Sequence, residues 1–184
     1  MNRGTLTVIC GCMFAGKTSR LIELLTDARD RGRRAIAIKH SLDARYDRTD
    51  LATHDGRHFP ARTAATAEQL IALTADFDVI GIDEAQFFGP PLIDAVKTMR
   101  DAGRELFASG IDYDTWGRPF DPFPELLHLA DETDILTIPC ARCGKPARMN
   151  QRLTPVIDGN LIGGPGDYEP RCPACFVPLA QAVS

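Results

Sequence analysis

Apolar and polar positions recur along this chain with two periods, and the alternation of those periods predicts its elements. Leu6-Thr7-Val8-Ile9-Cys10 is a short, β-branched apolar run that predicts a buried strand. Beyond a glycine-containing break, Leu21, Ile22, Leu24, Leu25 and Ala28 fall at helical spacing, and Gly32 supplies the stop. Ala35-Ile36-Ala37-Ile38-Lys39 predicts a second strand. Residues 41–62 are polar and aperiodic, which predicts a long loop that is functional or mobile. Thr66 then caps a helix through Leu73, with Gln69 in capping-box position. Asp78-Val79-Ile80-Gly81-Ile82-Asp83-Glu84 reads as a strand ending in two acids. Pro90-Pro91 open a helix that carries Leu92, Ile93, Val96 and Met99 on one face and stops at Gly103. Leu106-Phe107-Ala108 predicts another strand, residues 110–123 are irregular and aromatic, and Pro124 suits the first turn of a helix through Leu129. Ile135-Leu136-Thr137-Ile138 reads as the last strand of the main domain. Strands alternating with helices predict an α/β class, a mostly parallel sheet flanked by helices. Near Pro139 the periodicity gives way to Gly, Pro and Cys, which divides the chain into residues 1–138 and a small C-terminal unit, 139–184.

The break after the first strand carries the most specific chemistry in the chain. Gly11 to Ser19 reads Gly-Cys-Met-Phe-Ala-Gly-Lys-Thr-Ser, matching the phosphate-binding pattern G-x-x-x-x-G-K-[ST]. Gly11 and Gly16 let the backbone wrap a polyphosphate, so that the N–H groups of Cys12, Met13, Phe14 and Ala15 turn inward. Lys17 supplies a point charge and the Thr18 hydroxyl a ligand for Mg²⁺. The loop joins a predicted strand to a predicted helix, whose N-terminus is itself an anion site. Asp83 would sit at the tip of its strand, where open α/β sheets bind ligands, and would hold Mg²⁺. Glu84 beside it could accept a proton. In the aperiodic stretch, Arg45 is a candidate phosphate contact. The aromatics Tyr113, Trp116, Phe120 and Phe123 either cover the core or stack on a planar base.

Composition narrows the class further. The chain of 184 residues has a net charge of −4, which argues against bulk nucleic-acid binding. No apolar run is long enough to span a membrane, and the N-terminus runs straight into a strand, so the expected location is the cytoplasm. Four of the six cysteines form two pairs, Cys140-x-x-Cys143 and Cys172-x-x-Cys175. In a reducing compartment this pattern predicts a structural Cys₄ zinc site with every ligand from protein. The segment between the pairs is longer than a usual zinc ribbon and carries the loop Ile162-Gly163-Gly164-Pro165-Gly166-Asp167-Tyr168. A rival reading is an ATP-dependent nucleic-acid-binding protein with the ribbon as reader, using Arg142, Lys145, Arg148, Arg152 and Arg171; the acidic total opposes it.

Taken together, these motifs resemble the zinc-containing type II thymidine kinases, from Leu6 to Phe176. The resemblance rests on Gly11 to Thr18, Asp43-x-Arg45-Tyr46, Thr53-His54-Asp55, Asp83-Glu84-Ala85-Gln86-Phe87-Phe88, and the glycine loop with Tyr168 before the second cysteine pair. It implies a P-loop fold and phosphoryl transfer from MgATP to the 5′-hydroxyl of thymidine, and of deoxyuridine. ATP would lie against the glycine loop through Ser19, with Arg45 and the run Asp83, Glu84, Ala85 and Gln86 nearby. Glu84 would be the general base, and Thr18 and Asp83 would serve Mg²⁺. Met13, Phe87, Ile111, Phe120 and Tyr168 would line the nucleoside pocket, and residues 148–168 would form a lasso over it. The resemblance further implies a homotetramer, structural zinc and inhibition by thymidine triphosphate. Several positions depart from the family pattern. Cys12 stands where proline is common and Ala15 where serine is common. Thr115 stands where an aromatic pocket residue is expected, with Trp116 beside it either as the substitute or through a register slipped by one. Gly166 stands where an acid is usual, with Asp167 next to it, and Asn150 stands where threonine is frequent.

Overall fold

A computed structural model describes residues 3–42, 50–53, 56–155 and 166–179. Its centre is a seven-stranded sheet built from β1 (Leu6–Cys10), β2 (Ala35–His40), β3 (Asp50–Ala52), β4 (His58–Ala64), β5 (Val79–Asp83), β6 (Glu105–Gly110) and β7 (Glu132–Ile135). The strand order is β3-β4-β2-β5-β6-β1-β7. All neighbours run parallel except the edge pair β3–β4. The predicted class is therefore the observed one, a mostly parallel sheet flanked by helices.

Period-2 alternation sends successive side chains to opposite faces. Val8 and Leu106 join the apolar cluster on one face, with Leu92 and Val96 of α3 (Pro91–Asp101) and Phe123 and Leu126 of α4 (Phe123–Leu129). Leu70 of α2 (Ala67–Leu73) packs there too. Ile9 and Phe107 join the other face, covered by Leu21, Ile22 and Leu25 of α1 (Lys17–Asp30). Each such buried side chain contributes about 1.5–3 kcal/mol. Helix α1 lies so close to β5 that a Cβ on Gly81 would come within 2.6 Å of Leu25 Cδ1. At the start of α2, Thr66 Oγ1 accepts from Gln69 N, while Gln69 Oε1 accepts from the N–H of Ala65. The capping box thus closes one residue earlier than its simplest form.

Two expectations fail. The stretch 41–62 is not all loop, for it contains β3 and the start of β4. In β4 only Phe59 and Ala64 are buried, and Pro60 sits mid-strand, so the pattern resembles neither a core strand nor an amphipathic one. The run 135–138 is not one strand. Its first residue ends β7, which pairs with β1 from Thr7↔Glu132 to Cys10↔Ile135. Ile138–Pro139 forms β8 and pairs with β9 (Pro146–Ala147) in a separate two-stranded sheet. The polar residues of β7 hide it, because an edge strand takes its register from the β1 backbone rather than from burial. A second hairpin, β10 (Met149–Arg152) with β11 (Tyr168–Arg171), was also not expected.

Candidate active site

The glycine loop leaves the C-terminal tip of β1 and feeds α1. Gly11 has φ 150°, and a Cβ there would stand 2.3 Å from the Leu136 carbonyl oxygen, so only glycine passes this point. Phe14 is left-handed at φ 68° with its ring half exposed, a strained backbone of the kind concentrated at ligand sites. Gly16 at φ 84° precedes the first helical turn. Buried Lys17 donates from Nζ to the Cys12 carbonyl at 2.8 Å, which holds its charge inside the curve of the loop. Ala15 N closes the loop onto the same carbonyl at 3.3 Å. Ser19 lies in the first turn of α1.

Asp83 is buried at the tip of β5. Thr18 Oγ1 donates to its Oδ2 at 3.2 Å, and Ser109 Oγ donates to its Oδ1 at 2.5 Å. Two oxygen donors, Thr18 and Asp83, thus converge beside the phosphate loop, a set that suits a hard cation. Ser109 was not anticipated. Its signal is a hydroxyl closing the apolar run of β6, the strand between β5 and β1. Glu84 follows in the left-handed region at φ 50°, ψ 47°, which turns it off the strand axis. It precedes a 3₁₀ turn, Ala85–Phe88, and accepts from Gln86 Nε2. Gln86 Oε1 in turn accepts from Ile111 N at 3.3 Å.

That glutamine is shared by an apolar pocket. Met13, Phe87, Ile111, Phe120 and Tyr168, the five residues expected together, do line one cavity. Gln86, Tyr113, Asp114, Thr115 and Asn150 complete its wall. Thr115, not Trp116, faces this cavity; the Trp116 ring lies 4.8 Å from the Arg118 guanidinium carbon instead. Asn150 bridges the two parts of the chain, accepting from Met13 N at 2.7 Å and donating to Tyr113 O at 3.2 Å. Asp167 ties the end of β10 to the start of β11, where Thr154 Oγ1 donates to its carboxylate at 2.9 Å and Leu153 N to its carbonyl at 2.8 Å. Tyr168 OH accepts from Arg152 at 2.7 Å. Arg45, with Asp43, Tyr46, His54, Asp55 and residues 156–165, lies outside the described residues.

The four cysteine sulfurs of Cys140, Cys143, Cys172 and Cys175 lie within 4.8 Å of one another. Tetrahedral zinc, with bonds of about 2.3 Å, spaces its sulfurs by roughly 3.8 Å, so this cluster fits zinc and leaves no open position. Burial opposes ionisation of Cys140, yet backbone N–H groups of Cys172, Arg142 and Cys143 bring its thiol down to about 6. The cysteine module packs directly on the glycine loop, with Cys12 Sγ donating to Ala147 O at 3.6 Å. A half-buried ion pair, Arg148–Asp112, joins it to the segment after β6. Burial, then the Asp112 carboxylate, pushes the Cys10 thiol up to about 12, which disfavours its thiolate. Arg148, Arg152 and Arg171, three of the five basic residues of the nucleic-acid reading, are turned onto protein partners. Among the described residues, no helix is long and apolar enough to cross a membrane.

Comparison with known proteins agrees with this geometry. The family model described as thymidine kinase matches residues 4–176. The chain is similar to a thymidine kinase of Rhodothermus sp., 39% identical over 175 residues, covering 95% of this chain and 82% of that protein. A thymidine kinase of Coprothermobacter proteolyticus is 38% identical over 178 residues, covering 92% and 88%. One of Bacteroides thetaiotaomicron is 35% identical over 175 residues, covering 95% and 88%.

Proposed function

The chain belongs to the thymidine kinase family, and from that premise we propose that it transfers the γ-phosphoryl group of ATP to the 5′-hydroxyl of thymidine. The same chemistry would serve deoxyuridine, and the product, thymidine monophosphate, would feed pyrimidine salvage. The observation that carries this reading is the shared wall. Gln86 touches Glu84, beside the phosphate loop, and also lines the apolar pocket, so a nucleoside there would present its sugar toward Glu84.

Phosphoryl transfer needs positioning and charge stabilisation more than covalent chemistry. The loop amides and Lys17 would hold the β- and γ-phosphates, with Arg45 assisting. Thr18 and Asp83 would hold Mg²⁺, which neutralises charge on the phosphates when bound. Glu84 would take the hydroxyl proton. Met13, Phe87, Ile111, Phe120 and Tyr168 would bury the base. Residues 1–138 would act as the nucleotide-binding unit and 139–184 as the zinc-held lid. Thymidine triphosphate would inhibit, because it offers a thymine to the pocket and a polyphosphate to the loop at once. A cytoplasmic homotetramer that binds no nucleic acid completes the proposal, on the family resemblance and the acidic charge.

The test is transfer of label from γ-labelled ATP. Thymidine and deoxyuridine should gain label at the 5′ position, and single-stranded DNA should not be retained in a filter assay. Absence of labelled thymidine, with ATP-dependent retention of DNA, would favour the ribbon reading instead.

A further inference from the structure

Tyr168 is buried and lines the apolar cavity, and Arg152 stands directly opposite it in the register of β10 and β11. Residues opposed in this way present their side chains on one face of a hairpin. The Arg152 guanidinium carbon lies 4.8 Å from the centre of the Tyr168 ring, and Nη1 donates to the phenol oxygen at 2.7 Å. Nε donates to Thr154 O at 3.1 Å and Nη2 to Pro155 O at 3.4 Å, so every nitrogen of the fork has an acceptor. Thr154 is held in turn, because its hydroxyl donates to Asp167, the residue before Tyr168. Arg152 itself is not among the residues that line the cavity.

A phenol ring fixed only at its backbone swings between rotamers. Here strand pairing fixes the backbone of Tyr168 and the guanidinium holds the hydroxyl at the far end, so the ring is pinned at both ends. The group that pins it is itself rigid, since two carbonyls of the segment after β10 orient its planar fork. Attraction between the guanidinium and the ring's π-system adds to the hold. A wall set before the ligand arrives spares binding the cost of ordering it. We propose that Arg152 is a positioning residue for nucleoside binding, acting through the Tyr168 hydroxyl to hold that ring as a wall of the pocket. This rests on the reading that the pocket takes thymidine.

The test is a double-mutant cycle. Arg152→Met keeps an unbranched stem and removes the fork; Tyr168→Phe keeps the ring and removes only the hydroxyl. Arg152→Met should raise KM for thymidine about tenfold and Tyr168→Phe about fivefold, each with kcat and KM for ATP within about twofold. The double variant should stay near the tenfold of Arg152→Met, because both changes remove one contact; independent effects would multiply to about fiftyfold. Multiplying effects, or a normal thymidine KM in either single variant, would overturn the proposal. So would a KM for ATP that rises as much as that for thymidine, the mark of a merely structural role. Zinc content reports whether the hairpin has folded. If Arg152→Met loses its zinc, Tyr168→Phe decides alone, and an unchanged thymidine KM there overturns the proposal. If the unaltered protein neither binds nor phosphorylates thymidine, the functional reading itself falls, a result distinct from these.

Discussion

His40, at the end of β2, shows how a titratable residue can be structural beside a site. Its Nδ1 accepts from Leu42 N at 3.1 Å, so Nε2 carries the proton and donates to Ala65 O at 3.1 Å. The Phe88 ring stands edge-on at 4.6 Å. Burial lowers its pKa below the ordinary 6.5, and the opposing pull of the Ala65 carbonyl does not reverse this. The unfolded chain therefore takes up the proton more readily than the folded one. Stability from neutral His40 is present above about pH 6.5 and drains away as the pH falls toward the folded value. Tm measured from pH 8 to pH 5 should fall less steeply in His40→Asn, whose side-chain oxygen can still accept from Leu42 N. Equal slopes in the two proteins would contradict this. At this same scale, Lys17, Thr18, Asp83, Glu84 and the four cysteines could be read from spacing, because phosphate, cation and zinc chemistry demand fixed residue types at fixed intervals. The contacts of Ser109 and Asn150 could not, because each joins segments far apart in the chain.

Among elements, β1, α1 and β5 were legible, since each buries a run with one clear period. Strands β3, β4 and β7 were not, because edges and near-edges carry polar residues and owe their existence to a neighbour's backbone. The hairpins β8–β9 and β10–β11 were hidden for another reason. They are too short to bury a core of their own, and the cysteine cluster stands where a core would be. Zinc removal should therefore act on these elements first and reach the phosphate loop through the Asn150–Met13 and Cys12–Ala147 contacts. Chelation should release about one zinc per chain, lower Tm by at least about 5 °C and abolish phosphorylation. Complete zinc loss with an unchanged Tm would refute the structural role of the metal.

On the scale of the whole molecule, two sites of different chemistry meet along one wall. The glycine loop hangs from β1, the acids from β5, and the segment after β6 continues into the apolar pocket. Because β6 lies between β5 and β1, all three contributions leave the same end of the sheet. The cysteine module then roofs the pocket with Asn150 and Tyr168. This convergence explains why Glu84 is the residue on which the proposed reaction turns. The most direct test is single-turnover phosphorylation of thymidine by Glu84→Gln, with ATP affinity measured in parallel. ATP binding should stay within about twofold of the unaltered enzyme while the rate falls by about 10²–10⁴. A rate within a few-fold of the unaltered enzyme would contradict it.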